Sequence, residues 1–161
     1  MKSTIRKISS IIILGLVLVI LQGCASNKPG ENTELGMAAV EQLKYDEALT
    51  HFEAALQAEE NPVYLQRGMG LAYMGQTDYE TALLCFQAAL DEGGTKPADI
   101  DYDINYYMAV CYFKLEQYEE ALARYDAIIA LRSKEVDAYV QRGIIQLKLN
   151  KHDEALNDFN Q

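Results

Sequence analysis

The sequence predicts an all-α fold built from stacked antiparallel helix pairs. Three observations lead there. The strings YDEALTHFEAAL (45–56), YETALLCFQAAL (79–90) and YEEALARYDAII (118–129) are copies of one unit, and HDEALNDF from His152 begins a fourth. Their alanines in register, Ala48, Ala82, Ala121 and Ala155, are spaced by 34, 39 and 34 residues. Around each alanine the same residue types return. A small residue lies 12 earlier (Gly36, Gly70, Ala109, Gly143), an aromatic 4 later (Phe52, Phe86, Tyr125, Phe159), and Ala55, Ala89 and Ile128 stand 7 later. One period that organises many positions is the mark of a repeat architecture. A lone helix pair cannot bury both its faces, so stacking supplies the core and stability sums over neighbours.

The composition agrees. Half of the 161 residues are hydrophobic, which suffices for a packed core and excludes a wholly disordered chain. The length fits one domain. With 14 basic and 24 acidic side chains the net charge is −10, and an anionic surface repels phosphate, so nucleic acid is excluded as a partner. Three cysteines without a CxxC, and two histidines, exclude a zinc module and a disulfide-stapled miniprotein.

The first element is a leader, not part of the fold. Residues 1–23 carry Lys2, Arg6 and Lys7, no acid, and an apolar run of 11 residues from Ile11 to Leu21. A membrane span needs about 20 residues, so the run suits the core of a secretory signal. Leu21-Gln22-Gly23-Cys24 follows and resembles the lipobox of bacterial lipoproteins. The resemblance implies a signal peptide over 1–23, removed on export, and a Cys24 that is acylated with palmitate-type chains. Residues 24–32 then form a lipidated cysteine and a small, polar tether. It further implies a cell-membrane or outer-membrane location, lipid-anchored and facing the periplasm or the exterior, with Ala25 after the cysteine permitting outer-membrane sorting.

The repeats themselves, from about residue 29 to 161, resemble the tetratricopeptide repeat (TPR) in their 34-residue period and their small–aromatic–Ala–aromatic–Ala order. The resemblance implies a right-handed superhelical α-solenoid of antiparallel helix pairs, with about four TPR repeats at 29–62, 63–96, 102–135 and 136–161, the last incomplete. The repeat domain so defined runs over 33–161. Turns are expected at Leu43-Lys44, Gln76-Thr77, Glu116-Gln117 and Asn150-Lys151. The small residue of the first helix and the first alanine of the second should let the two backbones approach closely. The aromatics should fill the space toward the neighbouring pair. Ala82→Leu should overpack one such crossing at a cost of about 1–3 kcal/mol.

Two irregularities interrupt the period. Five extra residues fall within Asp91–Asp101, where Gly93-Gly94 should end a helix and Pro97 suits the first turn of the next. This is either a longer connection or a binding loop. The sequence also stops at Gln161, midway through the second helix of the fourth pair, so that pair is expected to fray or to want a closing helix.

Catalytic chemistry is not nominated. Asp99-x-Asp101-x-Asp103 opens like a calcium loop, but Ile104 and Val110 stand where Gly and Glu are required, so the acids read as decoration of a helix start. Cys85 and Cys111, on neighbouring helices, read as small buried hydrophobes, with a disulfide in an exported protein as the alternative that geometry decides, and His51 and His152 as surface or packing residues. There is no nucleophile-elbow serine, phosphate loop or HExxH. No cofactor, metal or small-molecule substrate is implied, and the chain reads as a non-enzyme.

Family ligands usually lie along the concave groove of the first helices. Carried over by register, that face holds Thr33, Met37 and Val40 in the first repeat and Arg67, Leu71 and Met74 in the second. The third contributes Tyr106, Val110, Phe113 and Lys114, the fourth Val140, Ile144, Leu147 and Lys148. The Lys/Asn pattern with which some relatives clamp a terminal carboxylate is missing. An apolar stripe with a few basic residues suits a hydrophobic peptide or amphipathic helix, with Arg67, Tyr106, Phe113 and Lys114 as one patch. The same spacing would equally serve packing between repeats. The expected function is that of a membrane-anchored TPR lipoprotein, an interaction module or scaffold for protein partners in the bacterial cell envelope. The alternatives are an accessory subunit of an envelope enzyme, transporter or assembly machine, and the N-terminal part of a larger protein with a catalytic domain beyond Gln161.

Overall fold

The computed structural model describes residues 28–94 and 98–161. The leader expected over 1–23, the expected acylation position Cys24 and the position Pro97 lie outside the described residues. Within them the chain forms eight α-helices and no strand: α1 (Glu31–Glu41), α2 (Tyr45–Gln57), α3 (Pro62–Gly75), α4 (Tyr79–Asp91), α5 (Asp99–Lys114), α6 (Tyr118–Leu131), α7 (Val136–Lys148) and α8 (His152–Phe159). Consecutive helices pair as hairpins α1/α2, α3/α4, α5/α6 and α7/α8, and each hairpin packs on the next. The architecture is the α-solenoid that the period predicts.

The turns fall where expected, and one device makes all four. Leu43, Thr77, Glu116 and Asn150 have φ of 60°, 64°, 60° and 58°, the left-handed conformation that ends a helix. The next residue's N–H then reaches five residues back, as in Lys44 to the Ala39 carbonyl and Asp78 to that of Tyr73, both at 2.9 Å. None of the four is glycine, so each turn holds a side chain where L-residues are disfavoured. Two helix starts are capped by the side chain of the residue before them. Asn61 Oδ1 accepts from the Val63 N–H at 3.0 Å, ahead of Pro62 in the first turn of α3, and Asp78 Oδ1 accepts from the Thr81 N–H at 3.1 Å.

The role of the small residues differs from the expected one. A methyl group on Gly36 would overlap the ring of Phe52, one on Gly70 the ring of Phe86, and one on Gly143 the ring of Phe159. The glycine therefore makes room for its own hairpin's aromatic ring, not for a contact of two backbones. Phe52 also lies against Gly68 of the next hairpin, and Phe86 stacks on Tyr107 with ring centres 5.8 Å apart. One ring thus closes its own pair and floors the following one, which is why the glycine–aromatic couple recurs. Three apolar clusters result. Ala48, Phe52 and Leu65 centre the first, Ala82, Phe86, Ile104 and Met108 the second, and Ala121, Tyr125, Ile128 and Ile145 the third.

The acids at the start of α5 are more than decoration. Asp99 pairs with Arg132 at 2.8 Å, Asp101 accepts the Ala98 N–H at 2.8 Å, and Asp103 pairs with Arg67 at 2.9 Å. Two of the three tie α5 to other helices, through partners 33 and 36 residues away in sequence. Cys85 and Cys111 are free and buried, as read, with burial raising both thiols above their ordinary range and Cys111 to about 12. His51 is half-buried and His152 exposed.

Candidate interaction surface

The groove assigned by register divides into a closed half and an open half. In the closed half, Thr33 is fully buried, because its N–H and hydroxyl both donate to the Glu60 carboxylate that caps α1. Leu71 belongs to the second core cluster, and Met37, Val40 and Met74 are half-buried against that cluster. These positions are packing, since α1 leans directly on α3 and covers them. Arg67 is not a free cation either. It is held by Asp103 and lies 5.6 Å from the centre of the Tyr107 ring. Its Nε is buried without a hydrogen-bond partner among the described residues.

The third repeat is intermediate. Tyr106 is exposed and meets Tyr107 edge-on at 5.7 Å, Lys114 is exposed and Val110 is half-buried. Phe113 is half-buried against the third cluster and edge-on to Tyr118 at 5.6 Å. The structure therefore does not gather Arg67, Tyr106, Phe113 and Lys114 into one free patch, because Arg67 and Phe113 already have partners within the fold.

The open half is α7. Ala138, Gly143 and Ile145 face its neighbours and are buried, whereas Val136, Val140, Ile144 and Leu147 are 60, 36, 38 and 43 % exposed. The spacing of four, four and three places them in one stripe along the helix. Lys148 stands exposed at its C-terminal end, as Lys114 does on α5. Val140, Ile144 and Leu147 came from register alone; Val136 was missed, being one turn earlier on the same face.

A second feature was also missed. On the other side of α7, Arg142 grips Asp158 of α8 through two parallel hydrogen bonds, from Nε at 2.7 Å and Nη2 at 2.6 Å, and Asp126 of α6 through Nη1 at 2.5 Å. The hydrogen bonds it donates to Asp158 hold the guanidinium's pKa above its ordinary range, against the opposing effect of burial. Three helices meet at this one side chain. The signal was available in the repeat itself, since the residue before the small one is Leu35, Met69 and Met108 in the first three units and Arg142 in the fourth.

Comparison with known proteins agrees with this geometry. Residues 33–97 match the family described as Tetratricopeptide repeat, and residues 75–160 match the repeat family described as Anaphase-promoting complex, cyclosome, subunit 3. The chain belongs to the tetratricopeptide-repeat family, a class of protein–protein interaction module. Among solved structures it is similar to YrrB, described as a TPR protein with an unusual peptide-binding site. The TM-score is 0.69 at 22% identity over 89% of this chain and 71% of that one. It is also similar to MamA, with a TM-score of 0.66 at 20% identity over 78% of this chain and 70% of that one. At these identities the likeness is one of fold. No curated protein matches the sequence.

Proposed function

We propose that the protein is a lipid-anchored interaction module of a bacterial cell envelope that holds a partner polypeptide on the exposed face of α7. The observation that carries this reading is the stripe Val136, Val140, Ile144 and Leu147, left in water along a helix that Ala138, Gly143 and Ile145 already seat in the stack. An apolar patch of this kind marks an interaction site. Its matching occupant is an amphipathic segment whose apolar side chains recur at the same spacing and whose acidic residues meet Lys148 and Lys114. YrrB, described as having a peptide-binding site, is a precedent on the same fold. Anchoring is supported by the layout of residues 1–24 alone: three basic residues, a short apolar core, then Leu21-Gln22-Gly23-Cys24. A cysteine acylated there would hold the repeats beside a membrane at the length of a short tether. Among the described residues no helix is long and apolar enough to cross one.

Two experiments test the two parts. Capture from solubilised membranes should lose its partner with Ile144→Glu, and keep it with Leu84→Glu, a charge placed on the exposed side of α4. Equal capture by both variants would remove the α7 face from the reading. Metabolic labelling with a fatty-acid analogue should mark the wild type and not Cys24→Ser; equal marking would remove the anchor.

A further inference from the structure

The exposed face of α7 reads the same from both of its ends. Val136 and Leu147 stand at the extremes of the stripe and Val140 and Ile144 inside them, so the two pairs have midpoints at 141.5 and 142. A third pair shares that centre. Asp137 and Lys148, with their midpoint at 142.5, are both exposed, and neither forms an ion pair among the described residues. At 3.6 residues per turn, positions 137, 144 and 148 fall within about 40° of one another, so the two charges flank the stripe on the same rim, beside Ile144. The helix dipole accounts for an acid in the first turn and a lysine in the last, but not for their common rim.

An amphipathic segment with apolar residues at this spacing, and an acid placed to meet Lys148, is what the face requires, and α7 itself is such a segment. We infer that the chain self-associates, α7 lying antiparallel on α7 of a second copy about a two-fold axis near residue 142. This deepens the partner-face reading above and rests on it. Val140 of each copy then meets Ile144 of the other, Val136 meets Leu147, and Asp137 meets Lys148 twice. The two-fold brings each rim onto the same rim of the second copy only when the helices run antiparallel; a parallel pair sets the rims on opposite sides and leaves both charges unanswered. The contact continues one that the fold already makes, since Leu71, the counterpart of Ile144 in the second repeat, is packed with Ile104 and Met108 of the next hairpin and is 8 % exposed. Head-to-tail stacking of copies is the poorer fit. Where α3 and α5 cover the preceding hairpin with buried Leu65 and Ile104, α1 carries Glu31, and where Gly68 receives the Phe52 ring it carries Glu34, both exposed. Laying α1 of another copy on α7 would bury two carboxylates against an apolar face. The assembly therefore closes at two copies.

The contact spans about 16 Å of helix, small for an interface, so self-association in the micromolar range is expected. The full chain is purified in detergent as donor-labelled and acceptor-labelled pools, and energy transfer between them is followed across micromolar concentrations. Wild-type pools should show saturable transfer. Asp137→Lys sets lysine against lysine at both ends of the pair, and Lys148→Glu sets acid against acid, so each variant should self-associate at least about fivefold more weakly. Mixed with each other, the two variants form two attractive pairs, and transfer should return to the wild-type midpoint. Both residues are exposed, so the melting temperatures should match that of the wild type. Saturable wild-type transfer that neither variant weakens, or a mixture that stays as weak as its components, would overturn the inference, and so would wild-type pools that show no transfer. In that last case the capture experiment with Ile144→Glu separates the two readings. A captured polypeptide lost only in Ile144→Glu would keep the α7 face and assign it to a different chain; capture indifferent to Ile144→Glu would remove both.

Discussion

Thr33 donates both its backbone N–H and its hydroxyl to one oxygen of Glu60, at 2.9 and 2.7 Å. The other carboxylate oxygen takes the N–H and the side-chain amide of Asn32, both at 2.9 Å. Helix α1 begins after Gly30, which has no side chain to cap it, so a carboxylate from the connection between α2 and α3 does the capping. Gly30 is also the residue that leaves room, because a methyl group there would overlap the Glu60 side chain.

This cap sets a pH dependence. Burial works to raise the Glu60 pKa, but the hydrogen bonds from Thr33 and Asn32 outweigh it, and the group is held below its ordinary value. A carboxyl with a depressed folded-state pKa contributes stability that is present above its unfolded pKa and is lost as pH falls through the folded one. Urea midpoints should therefore fall on acidification below the ordinary carboxylate range, less so in Glu60→Gln. At neutral pH Glu60→Ala should cost about 1–2 kcal/mol, the range for a lost cap. A neutral-pH midpoint unchanged in Glu60→Ala would show that the cap contributes nothing.

Gly70→Ala tests the ring slot. The added methyl group meets the Phe86 ring, which is fully buried and cannot move aside, so the cost should be about 1–3 kcal/mol. Gly94→Ala is the control, since nothing lies within 4 Å of a methyl group there. Equal melting temperatures for the two variants would contradict the slot.

These glycines show what the sequence makes legible. The period located the hairpins, all four turns and the buried alanines, because each was specified locally and repeated. It also named both members of the Gly70–Phe86 couple, but not that they touch each other, since spacing gives a face and not its neighbour. The groove failed in its first half for the same reason. Thr33 and Leu71 do face inward by register, yet what covers them is Glu60 in one case and the lean of α1 on α3 in the other. Arg67 was read as free because Asp103 lies 36 residues away. On α7 the register sufficed, as no element among the described residues covers Val140 and Ile144 to alter what it implies.

The turns carry a removable strain. Leu43 holds φ at 60° and is 72 % exposed, so its side chain gains little from packing while its backbone sits in the disfavoured region. Leu43→Gly should stabilise by about 0.5–1 kcal/mol, the left-handed penalty less the added entropy of the unfolded chain. Chemical denaturation decides; a loss of stability would mean that the leucine packs usefully after all.

The thiols should be silent in the native domain. Burial pushes Cys111 up to about 12 and raises Cys85, with Asp78 adding to the effect there. The thiolate is the reactive form, so at neutral pH both should react with a disulfide reagent only upon unfolding. In a Cys24→Ser background two thiols should appear in denaturant and fewer than one within minutes without it. Fast native reaction of Cys111 would place it at the surface.

The aromatic of the second helix makes the sharpest comparison between repeats. Phe52 and Phe86 are 0 % exposed and Tyr125 4 %, each covered by the hairpin that follows, whereas Phe159 is 45 % exposed. Where stability is a sum over neighbours, the unit with fewer contacts opens first. Amides of α7 and α8 should exchange through a lower opening free energy than those of α3, α4 and α5. Phe86→Ala should cost about 3–5 kcal/mol, the usual range for a buried ring, and Phe159→Ala markedly less. The Arg142 grip on Asp158 and Asp126 opposes this ordering, because it ties α6, α7 and α8 together. A double-mutant cycle on Arg142 and Asp158, read by hydrogen exchange in α8, separates the two effects. Equal protection of all four hairpins that collapses only in Arg142→Met would mean that the fourth is held by its polar seam and not by its ring.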